Sequence, residues 1–384
     1  MVPRTNYWLW RAAFLCSMLA ARPSLAQSAH ARETPRGVNG PSPDGIEPTT
    51  LPWHDSYVYW DNAVTASTLG VGQDYLTRNP VYEMTFGFRP RYYFVENDRV
   101  TISARADIGV VSERTNSDTT TSQGEWSATD FEFWGSYTNI LRQSENDLTE
   151  LSIRLPRLLL PTSKVSYDSG KLLGLGVRVG GREEIVLAGR GARFFSSIEL
   201  LGKIDYGYQF SSSQVPINGG LERIRMGLDG RSIVSDQLAG ATLARQSAAF
   251  GVSSWVHVHP RVNWITTLEL RSAWNYPVSH EVQICGVVLT GCTQPTGVTN
   301  PQTRSALTYF QSEVWGRLTD TLELTFGYAN LATQLAPDGR RRTAFYSPDA
   351  RFYLTLNVYL DHLYVDLSAS KRQSASVANE PRNP

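Results

Sequence analysis

Phe194-Phe195-Ser196-Ser197-Ile198-Glu199-Leu200-Leu201-Gly202-Lys203-Ile204-Asp205-Tyr206-Gly207-Tyr208-Gln209-Phe210 alternates residue by residue. Its even positions read Phe194, Ser196, Ile198, Leu200, Gly202, Ile204, Tyr206, Tyr208 and Phe210; its odd positions include Glu199, Lys203, Asp205 and Gln209. A β-strand sends successive side chains to opposite faces, so this strand has one oily face and one charged face. In a soluble sheet the oily face needs a covering layer. Similar strands recur along the chain, yet almost no amphipathic helix is available to cover them. Bilayer lipid is the natural cover, and a closed barrel is the sheet that leaves no unpaired edge in lipid.

The pattern predicts strands near 56–69, 81–95, 99–113, 127–139, 147–160, 171–188, 194–210, 246–258, 262–276, 304–318, 321–332 and 350–369. Short connections (Glu96-Asn97-Asp98, His259-Pro260-Arg261, Thr319-Asp320) alternate with long ones (114–126, 211–245, 277–303, 333–349). Short periplasmic turns and long external loops are the habit of outer-membrane barrels. A soluble sandwich has turns of more uniform length. The expected fold is all-β, a transmembrane antiparallel up-and-down barrel of about 12 strands. The segment 350–369 changes phase at Asp361-His362, read as a bulge or a tight hairpin. A bulge gives twelve strands with both chain ends in the periplasm; a hairpin gives thirteen, which single-chain bacterial barrels avoid. Twelve is the expectation.

Residues 1–26 read as a secretory signal peptide: Arg4 and Arg11, the apolar run Ala12–Ala21, then Ser24-Leu25-Ala26. The apolar run is too short to anchor the chain across a bilayer, and Phe14-Leu15 before Cys16 is not a lipoprotein signature. Residues 27–55, dense in Pro and Gly and without hydrophobic period, predict a disordered periplasmic linker. The barrel is expected over 56–370, with a loose polar tail at 371–384. Cleavage would leave about 358 residues, enough for two soluble domains or one mid-sized barrel.

Acidic and basic residues balance at 36 each, which argues against a nucleic-acid partner and against a strong summed field. The 10 Trp and 18 Tyr suit positions between oil and water. Cys285 and Cys292 are the cysteines left after cleavage. A small loop disulfide is the leading reading for an exported chain. A metal site is the other, with His280 as the nearby ligand. No cofactor is expected: the sequence has no Walker-type glycine loop, dinucleotide fingerprint or clustered metal ligands.

In this pattern the chain resembles the outer-membrane β-barrel proteins of Gram-negative bacteria, the broad porin-like and transporter-like group, over roughly residues 56 to 370. Arg154-Leu155-Pro156-Arg157-Leu158-Leu159-Leu160-Pro161-Thr162 is similar to the strand-then-Leu-Pro-Thr approach to an external loop in some transporter-like barrels. Many members end on an aromatic residue read during barrel insertion; this chain ends Glu380-Pro381-Arg382-Asn383-Pro384.

Lipid-facing candidates include Phe131, Phe133 and Tyr137; Ile102, Ala104 and Ile108; Leu268, Leu270, Trp274 and Tyr276. Tyr206, Tyr208, Phe210, Trp274 and Tyr276 form one expected aromatic girdle, and Tyr92, Phe94 and Trp264 the other. Lumen-lining candidates are the acids Glu83, Asp107, Asp130, Glu132, Glu199, Asp205, Glu269, Glu313 and Glu323, and the bases Arg89, Arg91, Arg105, Arg154, Arg178, Lys203, Arg271 and Arg317. In a water-filled pore, opposed rows of acid and base would order water and polar solutes. In a narrower barrel the same residues would pair and close the interior. Twelve strands enclose a lumen between those two cases.

The segment Leu221–Leu228 has some helical period and offers Arg223 and Arg225 if the long loop folds inward. Arg340-Arg341-Arg342 would suit lipopolysaccharide or a solvated turn. The function expected is a passive channel for small polar solutes through a charge-balanced lumen, in the bacterial outer membrane, with membrane lipid and lipopolysaccharide as partners. The alternatives are a closed structural or adhesion barrel acting through its loops, and a lipid hydrolase. A hydrolase needs a nucleophile and base within reach. Ser253 with His257 lie on the predicted lumen face, and Ser279-His280 lies in a loop without a flanking motif.

Overall fold

The computed structural model describes residues 51–70, 81–115, 124–144, 147–187, 194–214, 224–226, 233–235, 243–277, 284–285, 292–293, 304–334, 343–347 and 349–368. The strands are β1 (Tyr57–Thr65), β2 (Tyr82–Arg89), β3 (Arg91–Glu96), β4 (Val100–Glu113), β5 (Trp126–Ala128), β6 (Phe131–Gln143), β7 (Asp147–Leu160), β8 (Lys171–Val186) and β9 (Ser197–Ser211). They continue as β10 (Ile224–Met226), β11 (Ile233–Ser235), β12 (Ala244–His259), β13 (Val262–Asn275), β14 (Ile284–Cys285), β15 (Cys292–Thr293), β16 (Arg304–Arg317), β17 (Leu322–Thr333) and β18 (Arg351–Tyr359). The helix α1 (Lys164–Asp168), which follows β7, is capped by the Ser163 hydroxyl, which accepts from Ser166 N.

Twelve strands close a ring in the order β1, β2, β4, β6, β7, β8, β9, β12, β13, β16, β17, β18 and back to β1. Every neighbouring pair is antiparallel, as an up-and-down barrel requires. β3 prolongs β2 beyond Pro90, which has no N–H for the ladder, and keeps β2's partner β4. β5 adds three residues beside β4. β1 closes the ring, paired with β18 on one side and β2 on the other, although its own alternation is the poorest.

The turns after β3, β6, β12 and β16 are short and share one end of the barrel with both described chain ends; this is the turn end. At the first of them the Asn97 side chain accepts from Arg99 N and Val100 N at 3.0 and 2.8 Å. The other, loop end carries the long connections. There β10 and β11 form a small ladder where the sequence predicted a helical stretch. Arg340, Arg341 and Arg342, the signal segment and the tail lie outside the described residues.

Two expectations change at the turn end. The strand predicted to run to 369 ends at Tyr359, and residues 360–368 are helical. The phase switch is neither bulge nor hairpin. Leu360, Leu363, Tyr364 and Leu367 recur at helical spacing, which alternation alone misreads. Residues 51–55, grouped with the linker on composition, form a buried turn instead. His54 stacks on Tyr93 at 3.8 Å, and the Tyr93 hydroxyl donates to Asp55 at 2.6 Å. The helical segment packs beside that turn through an edge-on contact of Trp53 with Tyr364.

The outward face is apolar. Val58, Trp60, Ile102, Ile108, Tyr137, Leu200, Ile204, Leu268, Val314, Phe326 and Leu354 are exposed side chains of a band that circles the barrel. Tyr206 and Phe210 toward the loop end, and Tyr92, Phe94 and Trp264 toward the turn end, are exposed aromatics flanking it. Such a surface is suited to lipid and costly in water.

Candidate functional site

Alternation that puts apolar groups outside puts the charged groups inside, so the candidate site is the lumen wall. Glu83, Arg89, Arg91, Arg105, Asp107, Glu132, Arg154, Arg178, Glu199, Lys203, Asp205, Glu269, Arg271, Glu313, Arg317 and Glu323 all lie on the inward side of their strands. Asp130 is placed differently. It precedes β6 at the loop end and accepts from Ser163 N at 2.9 Å and Ser166 Oγ at 2.6 Å, so it pins α1.

The acids and bases pair along the wall rather than across the lumen. On β2 and β4, Arg89 grips Asp107, donates to the Tyr57 hydroxyl at 2.6 Å and sits over the Tyr59 ring at 4.9 Å; the Tyr59 hydroxyl donates to Asp107 at 3.1 Å. Arg157 pairs with Glu132, and Arg178 with Asp205, each across one strand boundary. Arg351 reaches Glu83 over β1. Opposed acid and base rows are therefore not how these charges are arranged.

Two glycines make longer bridges possible. Lys203 on β9 and Glu269 on β13 flank Gly251 of β12 in register, and they pair over it. A Cβ on Gly251 would lie 2.8 Å from Glu269 Cγ and 2.9 Å from Lys203 Cε, so no larger residue fits without moving the bridge. Glu269 also accepts from Arg271 at 2.8 Å, and Arg271 lies over the Tyr309 ring. Similarly, Tyr353 on β18 lies over Gly327 of β17 and donates to Glu313 on β16. Gln311 joins them, donating to Tyr353 Oη at 2.7 Å and Glu313 at 2.8 Å.

Toward the turn end the lumen is packed. Glu199, 2% exposed, lies 2.8 Å from His257 Nε2 and 3.5 Å from Arg182, which also nears Glu150 and Glu184. Glu323, 1% exposed, accepts from Asn357 at 2.7 Å and Tyr359 at 3.0 Å. Trp255, Ile265 and Trp315 form an inward apolar cluster backed by Leu201. The turn at 51–56 closes on this end through Arg91, 3.7 Å from Asp55. Burial lowers the His54 pKa, but the Glu96 side chain at 3.5 Å and the Asp55 charge raise it, and the balance is upward. At mid-lumen the side chains are wetter: Arg157 is 30% and Lys203 21% exposed.

Several lumenal residues escaped the sequence reading. Arg182 shares the parity of Arg178, so the signal was present. Arg157 is out of phase with Arg154 because the β7–β8 register shifts between them, and Pro156 marks that shift. Tyr57, Tyr59, Tyr309, Tyr353 and Tyr359 share the inward parity of their strands, but tyrosine is equally at home in a girdle.

The hydrolase candidates are not brought together. The Ser253 hydroxyl lies 2.8 Å from Thr267 Oγ1, while His257 is engaged by Glu199; His280 and Ser279 lie outside the described residues. Among the described residues no group of His, Cys, Asp and Glu is placed to hold a metal ion. β14 and β15 set Cys285 directly opposite Cys292.

No protein-family model and no curated protein matches this chain. Solved structures similar to it include an outer membrane channel from Pseudomonas putida F1, at 13% identity and TM-score 0.45, covering 82% of this chain and 99% of that one. The NanC porin is similar at 8% identity and TM-score 0.33, covering 79% and 98%. The translocator domain of the autotransporter NalP from Neisseria meningitidis is similar at 7% identity and TM-score 0.33, covering 79% and 86%. The closed twelve-strand ring with its apolar belt is the architecture of the bacterial outer-membrane β-barrels.

Proposed function

We propose that this barrel is a passive outer-membrane channel for small polar solutes. The observation that carries the reading is the partly exposed set of charges above the turn end, Arg157, Lys203, Asp205 and Arg178, whose side chains keep 30%, 21%, 14% and 13% exposure. A barrel built only to be solid would gain nothing by keeping ionised side chains in contact with water there. The chain reaches the outer membrane by signal-peptide export, with its turn end in the periplasm. Outer-membrane lipid covers the apolar belt, and lipopolysaccharide meets the basic run Arg340-Arg341-Arg342. No cofactor takes part, and the separation of Ser253 from His257 speaks against hydrolysis.

A closed barrel acting through its external loops is the second reading. The dry turn end, with Trp255, Ile265 and Trp315 inside, favours it. Single-channel recording of the refolded protein in a planar bilayer separates the two. Discrete, reproducible steps are expected; stable insertion without any step would overturn the channel reading.

A further inference from the structure

Exposed arginines at the two ends of the barrel are held in different ways. At the turn end Arg142 lies 3.5 Å from Asp147, and Arg261 lies 3.4 Å from Asp320, so each meets a carboxylate. At the loop end Arg245 and Arg304, both exposed, rest on aromatic rings instead. The Arg245 guanidinium lies 5.6 Å from the centre of the Tyr208 ring and 5.9 Å from that of Tyr276, and its Nε donates to the Tyr208 hydroxyl at 2.9 Å. The Arg304 guanidinium lies 5.7 Å from the centre of the Trp274 ring. Among the described residues neither guanidinium is paired with an acid.

Register puts this group on the outward wall. Tyr208, Gln246, Trp274 and Arg304 are successive partners across β9, β12, β13 and β16. They share the parity of Ile204, Val252, Leu268 and Val314, exposed side chains of the apolar belt. Arg245 falls in the register shift between Ala244 and Gln246. Strict alternation from Ser247 would send it inward; a bulge re-aims a side chain, and here it brings Arg245 out onto Tyr208. Two strand spacings separate β12 from β16, so the backbones that carry the two arginines stand about 10 Å apart along the rim.

Aromatic rings belong where an apolar belt meets water. A guanidinium stacked on such a ring is fixed in orientation and still presents N–H groups at its edge, a fork that matches the paired oxygens of a phosphate. We propose that Arg245 and Arg304, backed by Tyr208, Tyr276 and Trp274, form a docking site on the outward wall for the phosphorylated glycolipid of the outer leaflet, lipopolysaccharide. Each guanidinium takes a phosphate of the headgroup, and the acyl chains run down the belt past Tyr206 and Ile204. Two separated forks suit a headgroup with two phosphates on a disaccharide better than one with a single phosphate. The place of the forks, at the rim of the belt, favours a lipid over a free anion. The assignment rests on the outer-membrane reading with the loop end outward, not on conduction, and it puts the glycolipid on the barrel wall, apart from the run Arg340-Arg341-Arg342.

The test is native mass spectrometry of the refolded full barrel in detergent. The probes are lipid A with two phosphates, the same lipid A with both removed, phosphatidylglycerol and inorganic phosphate. Saturable binding of the phosphorylated lipid A is expected. It should weaken about tenfold or more on removal of the phosphates, or in the variant carrying Arg245→Gln and Arg304→Gln. The variant carrying Arg245→Lys and Arg304→Lys keeps both charges and loses both forks, so it serves if the glutamine variant fails to assemble; a smaller loss of affinity is expected. Arg261→Gln, at the opposite end of the barrel, is the control and should bind as wild type. Equal affinity in the wild type and both double variants overturns the site. So does phosphatidylglycerol binding as tightly as lipid A, or inorganic phosphate displacing lipid A at equal concentration. Bilayer recordings keep this site apart from the channel: both arginines face outward, so the glutamine variant should conduct as wild type. A silent barrel that binds lipid A through Arg245 and Arg304 removes the channel and leaves the site. A conducting barrel with no preference for lipid A removes the site and leaves the channel.

Discussion

The mid-lumen and the turn end are lined by the same kinds of side chain, in the same alternation, yet they are different materials. Above the turn end Arg157 and Lys203 keep 30% and 21% exposure, and pairs such as Arg178–Asp205 edge the path that the channel reading requires. At the turn end Glu199 and Glu323 are sealed among Arg182, His257, Asn357 and Tyr359, beside a cluster of Trp255, Ile265 and Trp315. In the channel reading the first is a pore wall; the second is a polar core. The difference teaches that inward parity fixes which side a charge faces, while its neighbours two strands away fix whether that charge is wet.

The largest effect is expected where one acid holds two bases. Glu269→Ala leaves Lys203 and Arg271 without the carboxylate they share, and breaking such a buried set costs about 3–5 kcal/mol. Denaturant unfolding of the refolded barrel reads it, and an unchanged midpoint would show that the bridge over Gly251 is not formed. On the opposite face, Ile204→Arg or Leu268→Arg puts a charge into mid-bilayer lipid at about 2–4 kcal/mol each. Loss of the folded, heat-modifiable gel band is expected; normal assembly of both would reverse the assignment of the faces. Gly251→Ala crowds the Lys203–Glu269 bridge and should cost about 1–3 kcal/mol by overpacking, against almost nothing for an alanine at an open lumen position.

Two smaller effects sharpen the contrast between the regions. Lys203→Gln should shift ion selectivity, with a smaller loss of stability than Glu269→Ala because Arg271 still holds the Glu269 carboxylate. Glu199→Gln should do the reverse, since Glu199 is enclosed by Arg182 and His257. Matching effects from the two would merge the regions into one. The smallest effect is expected at His54, whose raised pKa means that its protonated form stabilises the turn at 51–56. That contribution is full below the ordinary value of 6.5 and is lost as pH rises through the raised value. Trp53 fluorescence followed from acid to neutral pH should report the loosening, and His54→Gln should flatten the curve. A wild-type signal that strengthens with rising pH would contradict the sign.

Much of the barrel was legible because lipid enforces strict alternation. Leu268 and Ile204 could be assigned outward from period alone. Legibility failed where the period was interrupted for a local reason. At Asp361-His362 the phase switch was visible, but its cause, a change from strand to helix, required reading Leu360, Leu363, Tyr364 and Leu367 at helical spacing. Arg157 was hidden by the register shift at Pro156, and residues 51–55 by a composition that reads as linker although His54 and Asp55 bury themselves against β3. Which charged residues share the inward parity of their strands was legible, Asp130 apart. Its division into wet and dry was not, because no strand shows by itself that Gly251 lets Lys203 reach Glu269.

The central claim, a hydrated path along β7, β8 and β9 above a sealed turn end, is tested most directly by cysteine accessibility. With Cys285 and Cys292 replaced by serine, single cysteines at Arg157, Lys203, Asn263 and Thr325 are challenged in the membrane-embedded barrel with a water-soluble, membrane-impermeant thiol reagent. Fast modification at Arg157→Cys and Lys203→Cys, with protection at Asn263→Cys and Thr325→Cys, is the expected result. Protection at all four positions would contradict the account, because the lumen would then be solid from end to end.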